Sequence, residues 1–81
     1  MTQTSMLYAW KQLYAEGPAN LAGKSATARI RIHSCLATYA MILRLLDPSN
    51  DRQWVLEWQR HLNAAKAIGR AVETALKEAK P

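Results

Sequence analysis

The sequence predicts an all-α fold: an antiparallel hairpin of two long helices with a short helix at the N-terminus. Two long segments carry apolar residues alternately three and four positions apart, the spacing of a helix seam. Two breaks, at Gly17-Pro18 and Asp47-Pro48, divide the chain into three segments. With 81 residues and 9.1 kDa, the chain is expected to form a single helical domain, residues 1–81.

The first segment predicts a helix over about residues 5–16. Thr4 or Ser5 is expected to cap its N-terminus, because hydroxyl oxygens accept hydrogen bonds from the free backbone N–H groups of a first turn. Gly17 is expected to occupy the C′ position, and Pro18 to stop the helix. The apolar residues of this segment fall on one helical face: Met6, Leu7, Trp10, Leu13 and Tyr14.

The second segment predicts a helix over about residues 25–46, capped by Ser25 after a loop. Its 4-3 seam consists of Ala28, Ile32, Cys35, Tyr39, Ile42 and Leu46. Residues 26–32 also alternate between apolar and polar types, which is typical of a strand. Because this alternation is short and the 4-3 spacing covers the whole segment, we favour the helix.

The third segment predicts a helix over about residues 48–79. Pro48 disfavours helical geometry at Asp47, so the preceding helix should end there, and Asp47 is expected to cap the next one. The short connection predicts antiparallel helices. Gly69 lies on the seam and predicts the close approach of another backbone. The seam comprises Val55, Trp58, Leu62, Ala65, Gly69, Val72, Leu76 and Ala79.

The two long segments hold more apolar residues than one seam requires. The surplus consists of Ile30, Leu36, Leu43, Leu45, Trp54, Leu56 and Ile68. The first helix is too short to cover them all, and an uncovered apolar stripe usually marks an interface. A two-fold homodimer that completes a helical bundle is therefore predicted. A compact three-helix monomer is the alternative.

The sequence predicts no catalytic, cofactor-binding or metal-binding residues. His33 and His61 belong to no group of closely spaced ligands, and a contact of His61 with Glu57 is expected to lie at the surface. Cys35 could act as a nucleophile with His33 or His61 only if the fold brings them together, and it is expected instead to be a small buried apolar residue. Five residues separate Gly17 from Gly23, whereas a phosphate-binding loop has four. We therefore expect no enzymatic activity.

Charge is the main polar signal. The chain has 11 Lys+Arg against 6 Asp+Glu, a formal net charge of +5, and residues 17–46 contain four bases and no acid. Such a surface suits an acidic protein partner or a nucleic-acid backbone, and it can also be merely solvated. The predicted basic face consists of Lys24, Arg60, Lys66 and Arg70.

These features predict a small interaction protein that binds a larger protein and modulates or inhibits it. The analogy is to small basic helical inhibitors encoded by phages and mobile elements, and it rests on size and charge alone. A nucleic-acid-binding regulator is the alternative. The predicted partner-binding residues are Trp10, Tyr14, Trp54, Arg29 and Arg31.

A cytoplasmic location is expected from three features. The single cysteine fits a reducing compartment. The first residues lack the pattern of a secretory signal, and no apolar run is long enough to cross a membrane.

Overall fold

The computed structural model describes residues 3–79, and three α-helices dominate this part of the chain. They are α1 (Gln3–Glu16), α2 (Ala26–Leu46) and α3 (Asp51–Ala79). Short 3₁₀ turns, Pro18–Asn20 and Pro48–Asn50, lie in the two connections. The two long helices pack against each other, and α1 packs mainly on α2. The all-α hairpin with a short N-terminal helix is thus confirmed, as is the helix over residues 26–32.

Local capping explains where α2 begins. Ser25 Oγ accepts a hydrogen bond from the backbone N–H of Ala28 at 3.2 Å, as predicted. Gly23 precedes this cap with a φ of +69°, a conformation that glycine adopts without steric cost. The capping prediction for α1 was wrong: the helix already includes Gln3, so Thr4 and Ser5 lie inside it.

Gly17 follows α1, but it does not adopt the left-handed C′ conformation that was predicted. Its φ and ψ of −54° and −52° are right-handed. The residue provides space instead, because a Cβ at this position would lie 2.3 Å from Leu36 Cδ2. Glycine therefore lets the chain pass close to a side chain of α2.

Asp47 ends α2 at the bend, but it does not cap the next helix as predicted. Its backbone N–H donates to Leu43 O at 2.8 Å, and a 3₁₀ turn separates it from Asp51, the first residue of α3. Its carboxylate is bound by side chains and not by the backbone of the new helix. The three donors are Ser49 Oγ (3.2 Å), Asn50 Nδ2 (3.0 Å) and Trp54 Nε1 (3.2 Å).

The buried face of α2 lies one residue further along the chain than the predicted seam. Its buried apolar residues are Leu36, Ala37, Ala40 and Leu43. The small side chain of Ala40 lies in one core cluster with Leu43 and the large indole of Trp54, which is only 7% exposed. The predicted seam turns towards α1, where the rings of Tyr39 and Trp10 are 5.0 Å apart. Part of the supposed apolar surplus is therefore core.

The first half of α3 supplies the other side of the core. Trp54, His61 and Ala65 are buried, and Trp58 packs half-buried against the same cluster. Gly69 was expected to allow another backbone to approach. A Cβ built on Gly69 meets no atom within 4 Å in the described part of the chain, so no such approach occurs there.

Candidate interaction surfaces

The C-terminal part of α3 projects beyond α2. Nδ1 of His33 lies 3.1 Å from Nδ1 of His61, which fixes the antiparallel register. Because both helices rise equally per residue, Ser25 at the start of α2 lies level with Gly69. Every residue from Arg70 to Ala79 is exposed. We call this segment, Arg70–Ala79, the α3 extension; it is about 15 Å long at about 1.5 Å per residue.

Large apolar side chains lie on the α3 extension. Val72 is 37% exposed and Leu76 is 62% exposed. They continue the three-and-four spacing of the seam whose earlier member, Ala65, is buried against α2. The extension therefore offers the apolar edge of a helix for which the described chain provides no partner.

A basic surface lies at the same end of the hairpin. The register places Arg29 level with Ala65, beside the turn of α3 that bears Lys66. Lys24 directly precedes the N-cap Ser25, which lies level with Gly69, the residue before Arg70. We call these four residues (Lys24, Arg29, Lys66 and Arg70) the basic end. All four are exposed, and they form no ion pair with any residue that the structure describes. Bases from two distant parts of the sequence thus lie at the same end of the hairpin.

The other predicted basic residues have acidic neighbours. Arg60 Nη1 lies 3.6 Å from Glu57 Oε1. Arg31 is exposed on the rim of a groove that Glu16 also lines. Neither residue belongs to the basic end.

The three aromatic residues predicted to bind a partner are buried within this chain to different extents. Trp54 is buried and hydrogen-bonded to Asp47, so its ring is held inside this chain. Trp10 is half-buried against the core and against Tyr39. Tyr14 is half-buried and takes part in a polar cluster. None of them belongs to the α3 extension or to the basic end.

A polar cluster joins all three helices beneath α1. Tyr14 Oη of α1 donates a hydrogen bond to Glu57 Oε2 of α3, and it lies 2.7 Å from His61 Nε2. His61 in turn contacts His33 of α2, and its Nε2 is 3.5 Å from Glu57 Oε2. We call Tyr14, His33, Glu57 and His61 the polar cluster. His61 is only 3% exposed, so the expectation of a surface contact with Glu57 was wrong.

The environment changes the proton affinities of several groups. Burial lowers the pKa of His61, and the charges of Arg60 and His33 lower it further. Burial and the carboxylate of Glu57 raise the pKa of Tyr14, which therefore remains a hydrogen-bond donor at neutral pH. At the bend, hydrogen bonds from Asn50 and Trp54 hold the pKa of Asp47 below its usual value.

Cys35 lies on the surface, which corrects the expectation that it is buried. It lines a groove of about 280 Å³ between the end of α1 and α2. Most of the wall is apolar, with Leu13, Ile32 and Tyr39 among the lining residues. The two histidines lie elsewhere, in the polar cluster.

Within residues 3–79, no group of three or more histidine, cysteine or acidic side chains is arranged to hold a metal ion. The same part of the chain includes no helix with the length and apolar character needed to cross a bilayer.

No protein-family model, curated protein or solved structure matches this chain.

Sequence reasoning found the basic residues and missed the polar cluster. Tyr14, His33 and Glu57 come from three different helices, and their sequence separations carry no local signal. The i,i+4 spacing of Glu57 and His61 was visible. The burial of this pair depends on which face of α2 packs against α3. The sequence analysis predicted that face one residue too early along the chain.

Proposed function

We propose that this protein is a non-enzymatic helical interaction protein that binds a larger protein through the α3 extension and modulates its activity. The observation that carries the proposal is the exposure of Val72 and Leu76 on a seam that is buried further back along the same helix. Contiguous exposed apolar patches mark interaction sites, and Val72 and Leu76 lie one turn apart on the same edge of the helix. An apolar helix edge fits a complementary groove or helix on the partner.

The polar cluster supports an interaction role over a catalytic one. Tyr14, Glu57 and His61 bind one another, and His61 is almost completely shielded from solvent. We therefore assign them to packing between the helices.

The test uses two variants that each add one negative charge to the extension. Leu76→Glu places the charge on the apolar edge. Thr74→Glu places it on the opposite side, since two residues turn the helix by about 200°. Both positions are exposed, so both variants should keep the helicity of the parent.

The readout is affinity capture from a lysate of the source cells, with nuclease present, followed by mass spectrometry. We expect one stoichiometric protein to bind the parent and Thr74→Glu, and to be lost with Leu76→Glu. Equal capture of the partner by both variants would show that the α3 extension is not the binding site.

We also propose that the protein forms a homodimer, because a second copy would cover apolar surface that the chain leaves open. Sedimentation equilibrium measures the mass directly. A mass of one chain at all concentrations up to the millimolar range would contradict self-association.

Nucleic-acid binding through the basic end is the second candidate. The observation favouring it is that four exposed bases, one from the connection before α2, one from α2 and two from α3, lie at one end of the hairpin and form no described ion pair. Arg29→Ala should weaken binding to duplex DNA or RNA and reduce the slope of log K against log salt by about one. Arg52→Ala, which removes an exposed base near the bend, is the matched control. An unchanged slope for Arg29→Ala would exclude this contact.

A further inference from the structure

The hydrogen-bond directions in the polar cluster follow from one carboxylate. Glu57, when ionised, only accepts hydrogen bonds, so Tyr14 must donate to it. The Tyr14 oxygen then accepts from Nε2–H of His61. His61 Nδ1 is left without a proton and accepts from Nδ1–H of His33. With both histidines neutral, each contact has one donor and one acceptor.

The cluster tolerates one added proton and not two. Nε2 of His33 takes no part in the described contacts, so a proton added there leaves the hydrogen bond between the two Nδ1 atoms in place. A second proton must bind His61 Nδ1, where it would face Nδ1–H of His33 across 3.1 Å. Two donors without an acceptor, each on a positively charged ring, repel each other.

The charged groups around His61 come from every helix that packs on it. Tyr14 faces it from α1, His33 from α2, and Glu57 and Arg60 from α3. Glu57 favours the charged ring, whereas Arg60, His33 and burial disfavour it. A doubly protonated pair therefore requires water to reach a ring that is now 3% exposed.

The helix that can move to admit water is α1. It has 14 residues, a length at which isolated helices are marginally stable. Its described ion pair with the hairpin, Lys11 to Asp47 at 3.6 Å, involves a lysine side chain that is 47% exposed. By contrast, α2 and α3 share the fully buried core.

We propose that the polar cluster is a pH-responsive latch: it holds α1 on the hairpin when the histidines are neutral and releases α1 when both bind a proton. Release uncovers the half-buried faces of Leu7, Trp10 and Tyr14 and the surface of α2 beneath them. Acidification thus converts a three-helix protein into a two-helix hairpin with an additional apolar face. This inference is independent of the α3 extension.

The test is a pH titration of the full chain followed by ¹⁵N NMR. At neutral pH, the ring nitrogen shifts should show the Nε2–H tautomer for His61 and the Nδ1–H tautomer for His33. On acidification through the histidine range, the backbone amides of α1 should lose their dispersed shifts while those of α2 and α3 keep theirs. The opposite tautomer of His61, or an α1 that stays docked when both rings are protonated, would overturn the latch.

His33→Gln isolates the role of the second proton. A glutamine amide can donate to neutral His61 Nδ1, and after rotation its oxygen can accept from the protonated ring. The variant should therefore keep α1 docked to a pH lower by about one unit or more than the parent. Release at the parent's pH would show that repulsion within the histidine pair is not the cause.

Two further variants separate the latch from other acid effects. Lys11→Gln removes the largely exposed ion pair between α1 and Asp47 and should leave the midpoint of release unchanged. Tyr14→Phe removes the hydroxyl that links α1 to His61, so α1 docking should no longer follow the histidine titration. If Tyr14→Phe retains the parent's pH dependence, the link through Tyr14 is wrong. Far-UV circular dichroism at neutral pH checks that each variant is folded.

Discussion

Two glycines show how a single side chain is constrained by its surroundings. Gly17→Ala would place a Cβ 2.3 Å from Leu36, a core residue that is 1% exposed. Leu36 must then change its rotamer, and we expect a loss of about 1–2 kcal/mol in the free energy of unfolding. The midpoint of urea denaturation measures this loss.

Gly69→Ala is the matched change in open space. Its Cβ meets no atom within 4 Å of the described chain, and alanine favours the helix by up to about 1 kcal/mol. We expect a higher urea midpoint than that of the parent. A midpoint that falls below the parent's as the protein concentration rises would mean that another chain packs against Gly69, as the sequence first suggested.

Trp54 gives a direct test of core against interface. The indole is buried with Ala40 and Leu43 and donates to Asp47. Trp54→Ala should therefore lower the free energy of unfolding by about 3–5 kcal/mol, because it leaves a cavity and removes a buried hydrogen bond. Thermal denaturation at a fixed protein concentration is the measurement. A variant as stable as the parent would contradict the core position of Trp54 and favour a surface role.

At the scale of the helices, the error in the α2 seam has a physical cause. Spacing alone cannot choose between the face with Tyr39 and Ile42 and the adjacent face with Ala40 and Leu43, because both repeat at three and four residues. The choice depends on α3, whose Trp54 lies beside Ala40 in the core. The cap at Ser25, by contrast, is a hydrogen bond to a backbone N–H three residues away, so the local sequence was enough to predict it.

The two ends of the hairpin should respond differently to the same truncation. Leu43 is fully buried, and Leu43→Ala should cost about 2–5 kcal/mol. Leu76 is 62% exposed on the α3 extension, and Leu76→Ala should change stability by less than about 0.5 kcal/mol. Urea denaturation of both variants tests the comparison. A large loss for Leu76→Ala that grows with protein concentration would place Leu76 in a dimer contact.

At the scale of the whole molecule, stability should fall on acidification in two separate steps. The pKa of His61 lies below 6.5 in the folded state, so the unfolded chain binds this proton more readily. The free energy of unfolding should therefore decrease as the pH falls below about 6.5. The folded pKa of Asp47 lies below 3.8, so its stabilising effect is present above that pH and is lost only in stronger acid.

Urea titrations from about pH 7.5 to about pH 1.5 resolve the two steps. Asp47→Asn should remove the step at lower pH and preserve the one near the histidine range. A flat profile across the histidine range would contradict the assignment of His61 as the buried titrating group.

The fold was more predictable than the surfaces because its signals are local. The helices and the hairpin were predicted from signals that act on the nearby backbone: Gly17, Pro48 and the apolar spacing. The polar cluster, the basic end and the length of the α3 extension depend on the register between α2 and α3. The contact between His33 and His61 shows that register in the structure. No residue spacing in the sequence specifies the register.

The overhang of α3 also governs how the molecule diffuses. The principal extents are 57 × 23 × 15 Å, and the radius of gyration is 15.3 Å, against about 12 Å for a compact domain of this length. Such a rod experiences more friction than a sphere of equal mass and elutes early from a sizing column. A single chain can thus be mistaken for a pair, so elution volume is a poor guide to its stoichiometry.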